Sequence, residues 1–204
     1  SPKLIACFGT VAPLCEHIHL PVQSGSDRVL ARMNRGYTVQ NYREKIAELR
    51  EACPEISITS DVIVGFPGEE DSDFQQTLEL MQEVRFDNLF SFQYSEREGT
   101  AAVGMDRAVS GSVKRERLRV LQALQAEHTL EKNRACVGRR ETVLVEGVSK
   151  NTGSELTGRT GGNRIVNFPG NPELIGRTVE VRITGAFLHS LRGEREATGG
   201  EDVH

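Results

Sequence analysis

Ser60-Asp61-Val62-Ile63-Val64-Gly65-Phe66-Pro67-Gly68-Glu69-Glu70 passes from a β-branched, apolar run into a glycine–proline turn and then into acid. The run begins near Ile56 and reads as a buried strand ending at Val64. Gly65 to Gly68 breaks it. Asp71 then opens a helix whose inner face is Phe74, Leu78 and Met81.

The same alternation extends to both sides. Upstream, His17 to Val22 reads as a short strand ending in the turn Gln23-Ser24-Gly25-Ser26, and Asp27 to Asn34 reads as a brief helix stopped at Gly36. Thr38 is placed to cap a second helix carrying Tyr42, Ile46 and Leu49. Downstream, Leu89 to Tyr94 alternates as a third strand, and a long helix from Ser112 carries Leu118, Leu121 and Leu124 towards residue 134. Strands alternating with helices of this length predict βαβ units and a parallel sheet, so the fold class is α/β.

After Cys136-Val137-Gly138 the character changes. Glu141 to Val148, Glu155 to Thr160, Arg164 to Phe168 and Thr178 to Thr184 are short strand candidates separated by turn-rich pieces, the pattern of a small all-β barrel. The expected division is therefore 1–135, 136–196 and an acidic, disordered tail over 197–204.

The 204 residues are enough for one medium and one small core, with 37% hydrophobic and 26% charged residues. No apolar run approaches the roughly 20 residues that span a bilayer, and no signal peptide is legible, so no membrane role and a cytoplasmic location are expected. The net charge of −4 is unevenly placed. Residues 1–133 hold 15 Lys/Arg against 20 Asp/Glu, whereas residues 134–195 hold 10 against 6. An acidic body with a basic appendage fits a catalytic domain carrying an RNA-binding module. The four cysteines, Cys7, Cys15, Cys53 and Cys136, show no metal-ligand or disulfide spacing and read as reduced, mostly buried thiols, so no metal ligands are assigned.

In parallel βα architectures, ligand contacts gather on loops at the C-terminal ends of strands. Three such loops occur here: Pro21 to Ser26, Ile63 to Glu69, and Tyr94 to Thr100. The first offers an amide, hydroxyls and backbone N–H groups, although an N-capping turn has the same composition. The second offers glycines that admit a close ligand beside apolar walls, although it also reads as a turn with Glu69 favouring the helix dipole. The third offers Arg97 for an anionic group.

His19 to Thr38 (HLPVQSGSDRVLARMNRGYT), Ser60 to Glu70 (SDVIVGFPGEE) and Phe90 to Ala102 (FSFQYSEREGTAA) resemble the later strands of the radical S-adenosylmethionine (SAM) methylthiotransferases. Leu156 to Gly170 (LTGRTGGNRIVNFPG) and Ser190 to Glu194 (SLRGE) resemble that family's C-terminal TRAM domain, an RNA-binding β-barrel. The resemblance implies a partial radical SAM (β/α) barrel followed by a small all-β TRAM barrel. It implies tRNA modification: methylthiolation at C2 of N6-isopentenyladenosine beside the anticodon. The alternatives are the ribosomal-protein branch of the family, disfavoured by Asn163-Arg164-Ile165 and by the QSGS loop, and a non-catalytic RNA-binding fragment.

Carried over residue by residue, the resemblance implies SAM contacts at Gln23, Ser24, Ser26, Arg32, Ile63, Gly65, Tyr94 and Arg97. It implies tRNA contacts at Arg159, Asn163, Arg164, Arg182 and Arg192, and places Phe168 in the barrel core or against a base. The family's [4Fe-4S] cluster ligands, in a C-x-x-x-C-x-x-C loop and on an N-terminal domain, have no counterpart in this sequence. No catalytic residue is therefore assigned, and the chain alone is expected to be inactive. Ser1-Pro2 resembles the end of the family's third-strand loop, which places the start of the chain partway round the barrel. The first strand's open edge then invites dimerisation.

Overall fold

In the computed structural model, the Ile56–Val64 run becomes the central strand of a parallel sheet. The structure describes residues 1–96, 99, 102, 104–149, 153 and 155–195. They divide into two units, Ser1–Thr129 and Leu130–His204.

In the first unit, strands β1 (His17–His19), β2 (Ser57–Val64) and β3 (Asn88–Gln93) lie in that order, all parallel. Helices α2 (Asp27–Arg32), α3 (Val39–Ala52), α4 (Asp71–Val84) and α5 (Gly111–Ala135) follow the strands, and α1 (Pro2–Thr10) precedes them. One sheet face, with Ile58, Val62 and Val64, is buried against Leu30, Ile46, Leu49, Leu80, Met81 and Leu121. The other face carries a polar network: His17 Nε2 and His19 Nδ1 both reach the Thr59 hydroxyl, at 3.2 and 3.0 Å, and His19 Nε2 lies 3.4 Å from Asp61. Phe90 stands edge-on to His19, and both Phe90 and Phe92 are about half exposed.

Local chemistry explains the differences from the sequence reading. β1 is shorter than expected, ending at His19, yet the pairing resumes at Gln23, which bridges Val62. Val22 N–H turns to the Ser60 hydroxyl at 3.0 Å and Gln23 N–H takes the Asp61 carbonyl, so one extra residue bulges from the ladder there. Helix α2 ends at Arg32, and the left-handed stop residue is Asn34 (φ 55°), not Gly36. Thr38 caps α3 as expected and forms a reciprocal capping box with Asn41. Helix α4 buries Leu80, Met81 and Val84 most deeply, with Phe74 and Leu78 at its margin. α1 had no signal in the reading.

In the second unit, β4 (Arg140–Val148), β5 (Glu155–Thr160), β6 (Ile165–Pro169), β7 (Thr178–Ala186) and β8 (Leu191–Arg195) close into a barrel in the order β4-β5-β6-β8-β7. Closure comes from a parallel β6–β8 pair; the other pairs are antiparallel. Val143, Val145, Leu156, Val166, Phe168, Val181, Ile183 and Leu191 fill the interior. β8 was not expected as a strand, because Leu191-Arg192-Gly193-Glu194 carries a single apolar residue and a glycine. Gly193 is required there: a Cβ would lie 2.3 Å from Val181 Cγ1.

Candidate functional site

The three strands of the first unit point the same way, so their C-terminal loops converge at one end of the sheet. Gln23 sits at φ 71°, fixed by its N–H to Asp61 O (2.8 Å) and by Ile63 N–H to its own carbonyl (2.9 Å). The next three residues turn inward. Gly25 N–H donates to Thr77 Oγ1 at 2.9 Å, and a Cβ on Gly25 would lie 2.5 Å from Thr77 Cα, so α4's close approach demands glycine. Ser24 lies buried beside Thr77. Ser26 caps α2 and donates to Asp73 Oδ1 at 2.6 Å. The hydroxyls of Ser24 and Ser26 are thus engaged within the fold.

The loop after β2 is held from two sides. From α2, Arg32 Nε donates to Pro67 O at 2.8 Å, and Arg28 donates to Gly68 O at 2.8 Å while pairing with Asp73. From α5, Arg117 donates to Glu69 Oε1 at 2.7 Å, to Glu69 O at 3.3 Å and to Asp71 Oδ1 at 2.7 Å. Glu69 Oε1 also accepts the Gly65 N–H at 2.9 Å. The Glu69 and Arg117 side chains are only 3% and 7% exposed, so this is a buried ion pair. Burial raises the Glu69 carboxyl above its ordinary range, offset in part by the Gly65 N–H and Arg117. Burial also acts upward on Asp73, but hydrogen bonds from Arg28, Ser26 and Glu70 N–H outweigh it and hold the carboxyl low. Glu69 thus faces inward and leaves the helix-dipole position to Glu70, whose N–H is capped by Asp73.

Gly65 lies at φ +73°, and the space where its side chain would stand holds the Lys114 stem, whose Cγ would be 2.4 Å from a Cβ. Lys114 Nζ donates to Tyr94 O at 3.0 Å and lies 5.2 Å from the Tyr94 ring centre. Tyr94 meets Phe66 edge-on at 5.0 Å. Its hydroxyl is buried without a hydrogen-bond partner among the described residues. Gln23, Ile63, Gly65 and Tyr94 therefore share one end of the sheet, with Arg32 over Gly68. Arg97 lies outside the described residues.

On the barrel, Arg159 pairs with Glu146 at 3.2 Å and donates to Asn163 Oδ1 at 2.9 Å. Asn163, at φ 64°, turns the β5–β6 hairpin, and Arg164 follows it with its N–H on Thr160 Oγ1. Arg182 is exposed on β7, whereas Arg192 on β8 is bound to Glu155. Phe168 is fully buried in the core and offers no face to a base. The sequence reading missed Arg140, which stands directly opposite Arg182 across the β4–β7 pair. The Arg140–Arg182 pair is flanked by Glu194, which faces Arg182 across the β7–β8 pair. Only the strand register reveals this pair.

Residues 9–81 match the Radical SAM superfamily model, and residues 134–195 match the TRAM domain model. The chain thus carries a partial radical SAM region followed by a TRAM domain. The methylthiotransferase resemblance read from the motifs stands with its relatives. One from Syntrophus aciditrophicus (strain SB), named tRNA-2-methylthio-N(6)-dimethylallyladenosine synthase, is 63% identical over 95% of this chain and 42% of its own length. Relatives of the same name from Geobacter metallireducens and Moorella thermoacetica are 56% and 48% identical, each over 95% of this chain and 44% of their own length. The chain thus spans less than half the length of the relatives it matches.

Two groups are implied by this superfamily. The strand ends of the radical SAM unit suit SAM: an aromatic wall of Phe66 and Tyr94, a buried orphan hydroxyl, and Arg32, whose terminal nitrogens have no partner among the described residues. An iron–sulfur cluster is not accommodated. Cys7 and Cys15 lie on and just after α1, Cys53 ends α3 and Cys136 follows α5; among the described residues no three His, Cys, Asp or Glu side chains gather to hold a metal. No helix among them is long and apolar enough to cross a membrane.

Proposed function

We infer that this chain is the SAM-facing and RNA-binding part of an enzyme that methylthiolates C2 of N6-isopentenyladenosine beside the anticodon of a tRNA. The observation that carries the reading is the order of its parts: three convergent strand-end loops followed by a TRAM barrel, collinear with relatives of that name. SAM, when bound, supplies methyl-donating and radical-generating chemistry. The chain's own residues bind and orient. Tyr94 offers its buried hydroxyl, Phe66 and Ile63 an apolar wall, Gln23 its amide, and Arg32 a planar fork for a carboxylate. On the barrel, Arg159, Asn163, Arg164, Arg182 and Arg192, joined by Arg140, engage the tRNA backbone.

The missing cluster ligands favour a second statement about this polypeptide by itself: it binds both ligands without turnover. Anaerobic reconstitution with iron and sulfide should leave it without a stoichiometric cluster. The exposed β1 edge and the half-exposed Phe90 and Phe92 favour self-association, which a clean monomer on sizing chromatography would remove.

The functional reading is tested by titrating the chain with an anticodon stem-loop at increasing salt. Binding that weakens linearly on a log–log plot is expected. Salt-independent binding, or none, would overturn the RNA assignment.

A further inference from the structure

The loop Gly65–Glu69 has an unusual set of supports. Three consecutive backbone carbonyls, those of Pro67, Gly68 and Glu69, each accept a hydrogen bond from a different arginine: Arg32, Arg28 and Arg117. The arginines come from two helices, α2 and α5, that are distant in sequence. Arg117 also fixes the Glu69 carboxylate that receives the Gly65 N–H, so one guanidinium sets both ends of the loop. Two residues of this loop, Gly65 and Gly68, lie at positive φ. Glycine reaches these angles freely among others, so the arginine contacts select one conformation for the loop.

We propose that Arg117 is a positioning residue: through Glu69 it sets the Gly65–Glu69 loop in the geometry that receives the nucleoside of SAM, with Arg28 completing the clamp from the opposite side. The proposal rests on the SAM reading above and adds residues outside the three strand-end loops. Arginine is needed because one planar fork serves a carboxylate, a carbonyl and a second carboxylate, Asp71, together; lysine's single ammonium cannot span them.

A buried ion pair is often worth little in stability against apolar replacements, whereas losing one partner is costly. That separates positioning from mere support. In the 204-residue chain, three variants are compared with wild type: Arg117→Lys, Arg117→Met, and the double variant Arg117→Met/Glu69→Met. The readouts are the urea midpoint, amide exchange at Gly65, and SAM affinity by calorimetry. The double variant is expected to recover the wild-type midpoint, yet to bind SAM about 10- to 100-fold more weakly, the loss expected when charge-assisted hydrogen bonds disappear. Arg117→Lys should fold and speed exchange at Gly65 while leaving Leu49 and Val62 unchanged. Wild-type SAM affinity in the double variant, or unchanged Gly65 exchange in Arg117→Lys, overturns the proposal. If wild type binds no SAM while Gly65 exchange responds to Arg117→Lys, the clamp on the loop stands and the cofactor assignment falls.

Discussion

In the unit Ser1–Thr129 one ion pair, Glu69 with Arg117, is buried on both sides at a strand end, whereas in Leu130–His204 the arginines of the candidate interface stand on the outside of a closed barrel. Arg117 with Glu69, and Arg28 with Asp73, lock loops whose backbone would otherwise have several choices. On the barrel, an exposed pair such as Arg159–Glu146 exchanges readily for a phosphate. The parallel sheet leaves strand ends and one face to be finished by side chains, so its specificity lies in internal ionic contacts. The barrel satisfies its own edges, so its surface charge is available to a partner.

The comparison breaks first if the two units do not stabilise independently. Phe86 and Phe168 are the largest side chains at 0% exposure, one in each core. Replacing either with Ala should cost about 3–5 kcal/mol. All three tyrosines, Tyr37, Tyr42 and Tyr94, lie in the first unit and there is no tryptophan, so tyrosine fluorescence reports that unit selectively. Phe86→Ala should lower the urea midpoint seen by tyrosine fluorescence, and Phe168→Ala should move only the transition seen by far-ultraviolet circular dichroism. Coincident shifts in both would merge the units.

A smaller effect tests the barrel's backbone packing. A Cβ on Gly158 would lie 2.3 Å from the Leu144 carbonyl oxygen, while Gly36 has nothing within 4 Å. Gly158→Ala should destabilise the barrel by about 1–3 kcal/mol. Gly36→Ala should stay within about 0.5 kcal/mol of wild type, as judged by thermal melts.

The ionic locks predict a pH signature for the first unit alone. Asp73 has a depressed carboxyl, so its contribution is present above its ordinary value of 3.8 and is lost as pH falls through the still lower folded value. Glu69 is raised, so it acts in the opposite sense: its contribution is complete below 4.5 and declines as pH rises through the folded value. In tyrosine-monitored urea titrations, Asp73→Asn should flatten the loss of stability at the acid end. Glu69→Gln should remove a decline that begins above pH 4.5. A steeper acid loss in Asp73→Asn would reverse the assignment.

The smallest effect belongs to the surface. Arg182→Gln should leave the melt unchanged and reduce the salt slope of RNA binding by about one. An unchanged slope would remove Arg182 from the interface.

Much of this division was legible in the residues. The β-branched run to Val64, the Thr38 cap and the turn-punctuated strands after Cys136 carry their structure locally, and the motifs placed the candidate loops. What stayed hidden was non-local. Arg117 and Glu69 are 48 positions apart, and nothing in a helix marked by Leu118 and Leu121 says that the arginine beside them turns inward. The Arg140–Arg182 pair exists only through strand register. Asn34 took the stop expected of Gly36 because a left-handed asparagine satisfies the helix end two residues earlier.

The central claim is that the strand ends of the first unit receive SAM while the barrel does not. Amide chemical-shift mapping of the chain during a SAM titration tests it most directly. Shifts should concentrate at Gln23, Gly65, Gly68 and Tyr94, with Gly158 and Arg159 unmoved. Shifts confined to the barrel, or none at Gly65 and Tyr94 at saturation, would contradict the account.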